Sequence, residues 1–133
     1  MNDKDKSEII EKISDAELEV LKNIWSYGTP TTSAQLRSVL GGEDGWDSST
    51  IRTLLRRLVE KGVLTQEKKD VYYYSPTITE AEVMKEKTKT FLHKVYGGNA
   101  KGLIAAMLSP DFLTSDDMEE VKNFWKKGRS KHE

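Results

Sequence analysis

No cysteine occurs in this 133-residue chain, and that one absence removes disulfides, thiol nucleophiles and thiolate metal ligands together. Histidine is almost as scarce: the two imidazoles, His93 and His132, lie far apart in sequence. A histidine/carboxylate metal site completed by Glu86 or Asp117 would need folding to assemble it, and isolated histidines are more often structural or solvated. No nucleophile elbow, phosphate-binding glycine loop, dinucleotide fingerprint or paired-histidine zinc helix is present, so catalysis has no candidate residues and no cofactor or metal is implied. No run of ~18 apolar residues occurs, which argues against a membrane partner. The opening "MNDKDKSEII" is charged rather than apolar, so the expected location is the cytoplasm of a bacterial-type cell.

What the chain does have is charge, 32% of its residues, distributed unevenly. The net charge is −1, yet the segment from Ser48 to Asp70 holds Arg52, Arg56, Arg57, Lys61, Lys68 and Lys69 against Glu60, Glu67 and Asp70, an excess of three positives. Acidic residues collect in the stretches Asp3 to Glu19 and Asp111 to Glu120. A nucleic-acid-binding surface needs a local basic face and not a basic chain.

Helix starts are marked by capping chemistry. Ser14-Asp15-Ala16-Glu17, Thr32-Ser33-Ala34-Gln35 and Thr79-Glu80-Ala81-Glu82 each place a hydroxyl three residues before a Glu or Gln, the pattern of a reciprocal capping box. The first helix carries Leu18, Leu21 and Trp25 on one stripe and runs to about Tyr27, where Gly28 and Pro30 stop it. The second is short, about Thr32 to Leu40, and is followed by the turn-rich "GGEDGWD". The third begins near Asp47 or Ser48 and ends at Gly62. Its Ile51, Leu54, Leu55, Leu58 and Val59 follow the helical spacing of a core face, while Ser49, Arg52, Thr53, Arg56 and Glu60 share the opposite one. "VLTQE" and "VYYYS" around "KKD" read as a β-hairpin that Pro76 ends. Helices of about Thr79 to Tyr96, Asn99 to Leu108 and Ser115 to Lys127 follow, broken at Gly97-Gly98 and Pro110. Trp25 and Trp46 read as core and loop anchors, and Tyr73 faces opposite to Tyr72 and Tyr74.

Three helices and then a hairpin is the order of a winged helix-turn-helix, in which the third helix enters the major groove and the hairpin lies along the backbone. The third helix answers both demands of that geometry, with an apolar side for the core and a cationic, hydroxyl-bearing side for base edges. Lys68 and Lys69 at the hairpin tip suit phosphates. The rival reading is a winged-helix adaptor that binds protein and no specific DNA; it calls for an exposed apolar patch on the third helix, where the sequence has Arg52 and Arg56.

"ISDAELEVLKNIW", "GWDSSTIRTLLRRLVEKGVLT" and "VYYYSP" resemble the penicillinase-repressor family, which groups β-lactamase, methicillin-resistance and copper-responsive repressors. The likeness runs from about Ile13 to Leu108. It implies a homodimeric winged-helix repressor that binds pseudo-palindromic operators with TACA/TGTA half-sites and dimerises through intertwined C-terminal helices. Carried across position by position, it assigns Ser49, Thr50, Arg52, Thr53 and Arg56 to the recognition helix and Lys68, Lys69 and Tyr73 to the wing. Thr50, near the helix start, would meet phosphate through its hydroxyl and the helix dipole. Two departures concern induction. The Asn-Phe bond cut in the β-lactamase-type repressors corresponds here to Ala106-Met107, and the cysteine-rich metal-sensing tail of the copper-responsive members is missing. Neither an inactivating protease nor a ligand is named by the sequence.

The resulting expectation is a mainly α chain with one small hairpin: a winged helix-turn-helix domain at 1–77, with 1–12 flexible, and a helical dimerisation region at 78–133, with 128–133 frayed. Narrow apolar stripes on helices joined at glycine or proline bury poorly alone and well against a symmetric copy. The dimer surface is therefore assigned to Phe91, Leu92, Leu103, Ile104, Met107, Leu108, Met118, Val121 and Trp125.

Overall fold

The computed structural model describes residues 2–28 and 30–132, the side chains of 130–132 excepted. In chain order the elements are α1 (Asp3–Glu11), α2 (Asp15–Tyr27), α3 (Ser33–Leu40), α4 (Ser48–Glu60), β1 (Leu64–Lys68), β2 (Tyr72–Pro76), α5 (Glu80–Tyr96), α6 (Ala100–Met107) and α7 (Ser115–His132). The fold is mainly α with one antiparallel hairpin. Contacts divide it into two compact units, Met1–Lys89 and Thr90–Glu133.

All three capping boxes form in the first unit. The Ser14 hydroxyl accepts from the Glu17 N–H at 3.2 Å while the Glu17 carboxylate accepts from the Ser14 N–H at 2.8 Å. Thr32 and Gln35 repeat the exchange at 3.2 and 2.8 Å, and Thr79 and Glu82 at 3.1 and 3.2 Å. Each pair satisfies two donors that a helix start otherwise leaves unpaired. Gly28 and Gly62 adopt φ of 69° and 80°, the left-handed conformation that a helix end reaches most readily with glycine.

Ile51, Leu54, Leu55 and Leu58 of α4 are buried among Val20, Leu21 and Ile24 of α2, Leu36 of α3, and Val63 and Leu64. Complete burial of one such side chain contributes about 1.5–3 kcal/mol, so four of them fix which face of α4 turns outward. The hairpin pairs Leu64 with Pro76 through to Lys68 with Tyr72. The connection before α3 adds an edge that the sequence does not announce: Thr31 and Tyr74 exchange backbone hydrogen bonds of 2.9 and 2.8 Å. Trp25 donates its indole N–H to the Ile78 carbonyl at 3.2 Å, and Trp46 packs partly buried against the core, both anchoring as expected.

Residues 3–11, expected to be flexible, form a helix. Asn2 caps it by accepting from the Asp5 N–H at 2.8 Å, Ile10 is buried, and Lys6 pairs with Glu82 of α5 at 2.6 Å. Isoleucine at 9, 10 and 13 was the signal, submerged in a charged segment. The units divide within α5 and not at 77/78, because Ile78 and Val83 belong to the first unit's core.

In the second unit, Gly97 and Gly98 turn the chain out of α5 with φ of 57° and 86°. Asn99 caps α6 by accepting from the Gly102 N–H at 3.0 Å. Thr114 and Asp117 form a reciprocal cap on α7 at 2.9 and 3.1 Å. The expected fraying from 128 is replaced by helix through His132, with Gly128 taken into its backbone; Glu133 lies outside the described residues. Among the described residues of this unit none is buried. No helix among the described residues is long and apolar enough to cross a membrane.

Candidate nucleic-acid interface

Helix α4 starts at an aspartate cap. Asp47 Oδ1 accepts from the Thr50 N–H at 2.8 Å and from the Ser49 hydroxyl at 2.7 Å. Hydrogen bonds from the Ser49 hydroxyl, the Thr50 N–H and the Thr50 hydroxyl hold the Asp47 carboxyl below its ordinary value, against a smaller desolvation effect. The helix start is therefore occupied by the chain's own carboxylate. Thr50 is exposed, and its N–H is paired with Asp47.

With the apolar positions buried, Ser49, Thr53, Arg56 and Glu60 occupy the middle of the outward face, and Arg52 and Arg57 flank it on opposite sides. Ser49, Thr50, Arg52 and Arg56 are exposed and Thr53 is half-buried. Ser49, Thr50, Thr53, Leu54 and Arg57 line one shallow cleft of about 270 Å³. Arg57 was absent from the sequence-derived site; its spacing of i+4 from Thr53 and i+7 from Thr50 was the available signal. Arg56 Nε lies 3.7 Å from Glu60 Oε1, with both side chains about two-thirds exposed. A pair so solvated contributes little to stability; it leaves the terminal guanidinium nitrogens available.

Lys61, counted in the sequence among the basic excess, is turned inward. Its ammonium reaches both carboxylate oxygens of Glu17, at 2.5 and 2.8 Å, and the Lys12 carbonyl at 2.7 Å. At the hairpin tip Lys68 and Lys69 are exposed, their ammonium groups 5.8 Å and 5.7 Å from the ring centroids of Tyr72 and Tyr73. That is cation–π range, so each aromatic ring orients a cation. Tyr73 is half-buried; Tyr74 packs on the core. The two clusters thus sit on consecutive elements of one unit, and no apolar side chain of α4 is exposed.

Among the described residues no group of three or more histidine and carboxylate side chains gathers to hold a metal. His93 lies against Gly98, away in sequence from α4, and the His132 side chain lies outside the described residues.

The model of the penicillinase repressor family matches residues 13–127. The penicillinase repressor of Bacillus licheniformis is 34% identical over 113 residues, covering 84% of this chain and 88% of that one. The chain belongs to the penicillinase-repressor family. Another relative is the methicillin resistance regulatory protein MecI of Staphylococcus aureus, 30% identical over 117 residues, covering 87% of this penicillinase-repressor family member and 94% of MecI. Two solved structures are similar as well. The solution structure of the B. licheniformis BlaI monomeric form in complex with the blaP half-operator is 39% identical and covers 53% of this chain and 87% of its own, with a TM-score of 0.47. The oxidized form of MarR from E. coli is 22% identical and covers 94% of this chain and 83% of its own, with a TM-score of 0.48.

Proposed function

We propose that this protein is a homodimeric, sequence-specific DNA-binding transcriptional repressor of the bacterial cytoplasm, which occludes a promoter by binding a pseudo-palindromic TACA/TGTA operator. The observation that carries the reading is the outward face of α4. It presents Arg52, Arg56 and Arg57 with Ser49, Thr50 and Thr53 and exposes no apolar side chain, which suits base edges and phosphates and leaves the adaptor reading without its patch. Family membership supports the repressor part of this reading.

Dimerisation is supported by the second unit's surface. Phe91, Ile104, Met107, Leu108, Val121 and Trp125 are exposed there, and Leu92, Leu103 and Met118 are half-buried. Phe112 and Phe124, at 62% and 81% exposed, extend the surface beyond the residues picked out by periodicity. Apolar area of this extent on a soluble chain marks an interface, and two copies would present two recognition helices to the two half-sites of a palindrome.

Run-off transcription tests the reading. Added protein should silence a promoter carrying the TACA/TGTA palindrome and spare one carrying a scrambled site; equal transcription from both at saturating protein would contradict it.

A further inference from the structure

The proton of the Ser49 hydroxyl is already spent. A carboxylate has none to give, so in the 2.7 Å contact between Ser49 Oγ and Asp47 Oδ1 the hydroxyl is the donor. A serine hydroxyl carries one hydrogen and two lone pairs. What Ser49 has left to offer a partner is acceptor capacity alone, on an exposed side chain in the middle of the polar face of α4, in the cleft it shares with Thr50, Thr53 and Arg57. An unconstrained serine rotates to suit and reads donors and acceptors alike; this one is polarised.

We infer that Ser49 is a specificity-determining residue that reads an exocyclic amine in the major groove, adenine N6 or cytosine N4, and that Asp47 is the positioning residue that makes it do so. The inference rests on the repressor reading and deepens it. Guanine presents only acceptors at its O6 and N7 edge, and phosphate oxygens are acceptors too, so both meet lone pair against lone pair at Ser49. The Asp47 charge, 2.7 Å from Oγ, works in the same direction, attracting an amine and repelling phosphate.

The test uses the TACA/TGTA palindrome as duplex DNA, with single adenines replaced by purine and single cytosines by pyrimidin-2-one, which deletes one amine at a time. Binding is measured for the full-length protein and for Ser49→Ala and Asp47→Gly. Alanine keeps α4 helical, and glycine is tolerated at a helix cap; circular dichroism checks both. The expected result is one half-site position where loss of the amine weakens the unsubstituted protein roughly five-fold, the scale of one neutral hydrogen bond, and leaves Ser49→Ala unaffected. Asp47→Gly frees the hydroxyl and should lose the discrimination at that same position. Palindrome-selective binding in which Ser49→Ala responds to every deletion as the unsubstituted protein does would overturn this inference alone. Discrimination retained in full by Asp47→Gly would overturn the role of Asp47. Equal binding of the unsubstituted protein to palindrome and scrambled duplex would overturn the repressor reading and this inference with it.

Discussion

Lys61 Nζ lies 2.5 and 2.8 Å from the two carboxylate oxygens of Glu17. Glu17 is 1% exposed and already closes the capping box of α2, so one side chain holds the start of that helix and, through Lys61, the end of α4.

Glu17→Ala should therefore destabilise the protein. Breaking a buried pair costs 3–5 kcal/mol, but the Lys61 side chain keeps 29% exposure and can return to water, so a loss of about 2–3 kcal/mol is expected. The midpoint of urea unfolding measures it. An unchanged midpoint would mean that the pair does not hold the two helices.

Acid should unfold the protein in a defined window. Burial pushes the Glu17 carboxyl up, but the hydrogen bonds from Lys61 and Ser14 outweigh it and leave it below its ordinary 4.5. Lys6, then Thr79, hold Glu82 below the same value; Thr114 holds Asp117, and Ser49 and Thr50 hold Asp47, below 3.8. Groups depressed in the folded state stabilise it above their unfolded values, and that stabilisation is lost as pH falls through the folded ones. Unfolding midpoints should be flat from neutrality to about pH 5 and fall below about 4.5. Glu17→Gln should flatten the upper part of that drop; an unaltered profile would remove Glu17 from the account.

Arg52→Ala or Arg56→Ala should cost about 1–3 kcal/mol of discrimination at one base pair of the half-site. Arg57→Ala reports whether the cleft with Thr50 and Thr53 faces the DNA. Lys68→Ala with Lys69→Ala should instead weaken binding evenly on all sequences and lower the salt slope by about two. Even weakening by the arginine variants would assign them to phosphate, and unchanged binding by the lysine pair would take the hairpin tip off the DNA.

The sequence made legible the elements whose signals are local. The three capping boxes, Gly28 and Gly62 mark helix ends by backbone chemistry, and the five-residue apolar set of α4 fixes its outward face. What was missed depends on groups brought together from afar. The Thr31–Tyr74 bridge joins residues with no β-pattern around Thr31. Lys61 reads as a surface cation until Glu17, far away in sequence, is folded beneath it. Asp47 reads as one of several turn residues, and only the fold shows that it consumes the Ser49 proton and the Thr50 N–H. Phe124 fell outside the chosen stripe of Met118, Val121 and Trp125 because the second unit buries none of its described residues, so no core face singles one stripe out.

Phe124→Asp together with Trp125→Asp should shift the protein from dimer to monomer in sedimentation velocity and weaken operator binding, since a single recognition helix binds mainly by charge. A dimer that survives both substitutions would place the interface elsewhere.

Fluorescence anisotropy with the TACA/TGTA palindrome and a scrambled duplex, across a salt series, tests the central claim most directly. The account predicts binding to the palindrome at least about 10³-fold tighter than to the scrambled duplex at physiological salt, with the gap persisting as salt rises. Weak binding, equal on both duplexes and lost together with salt, would contradict it.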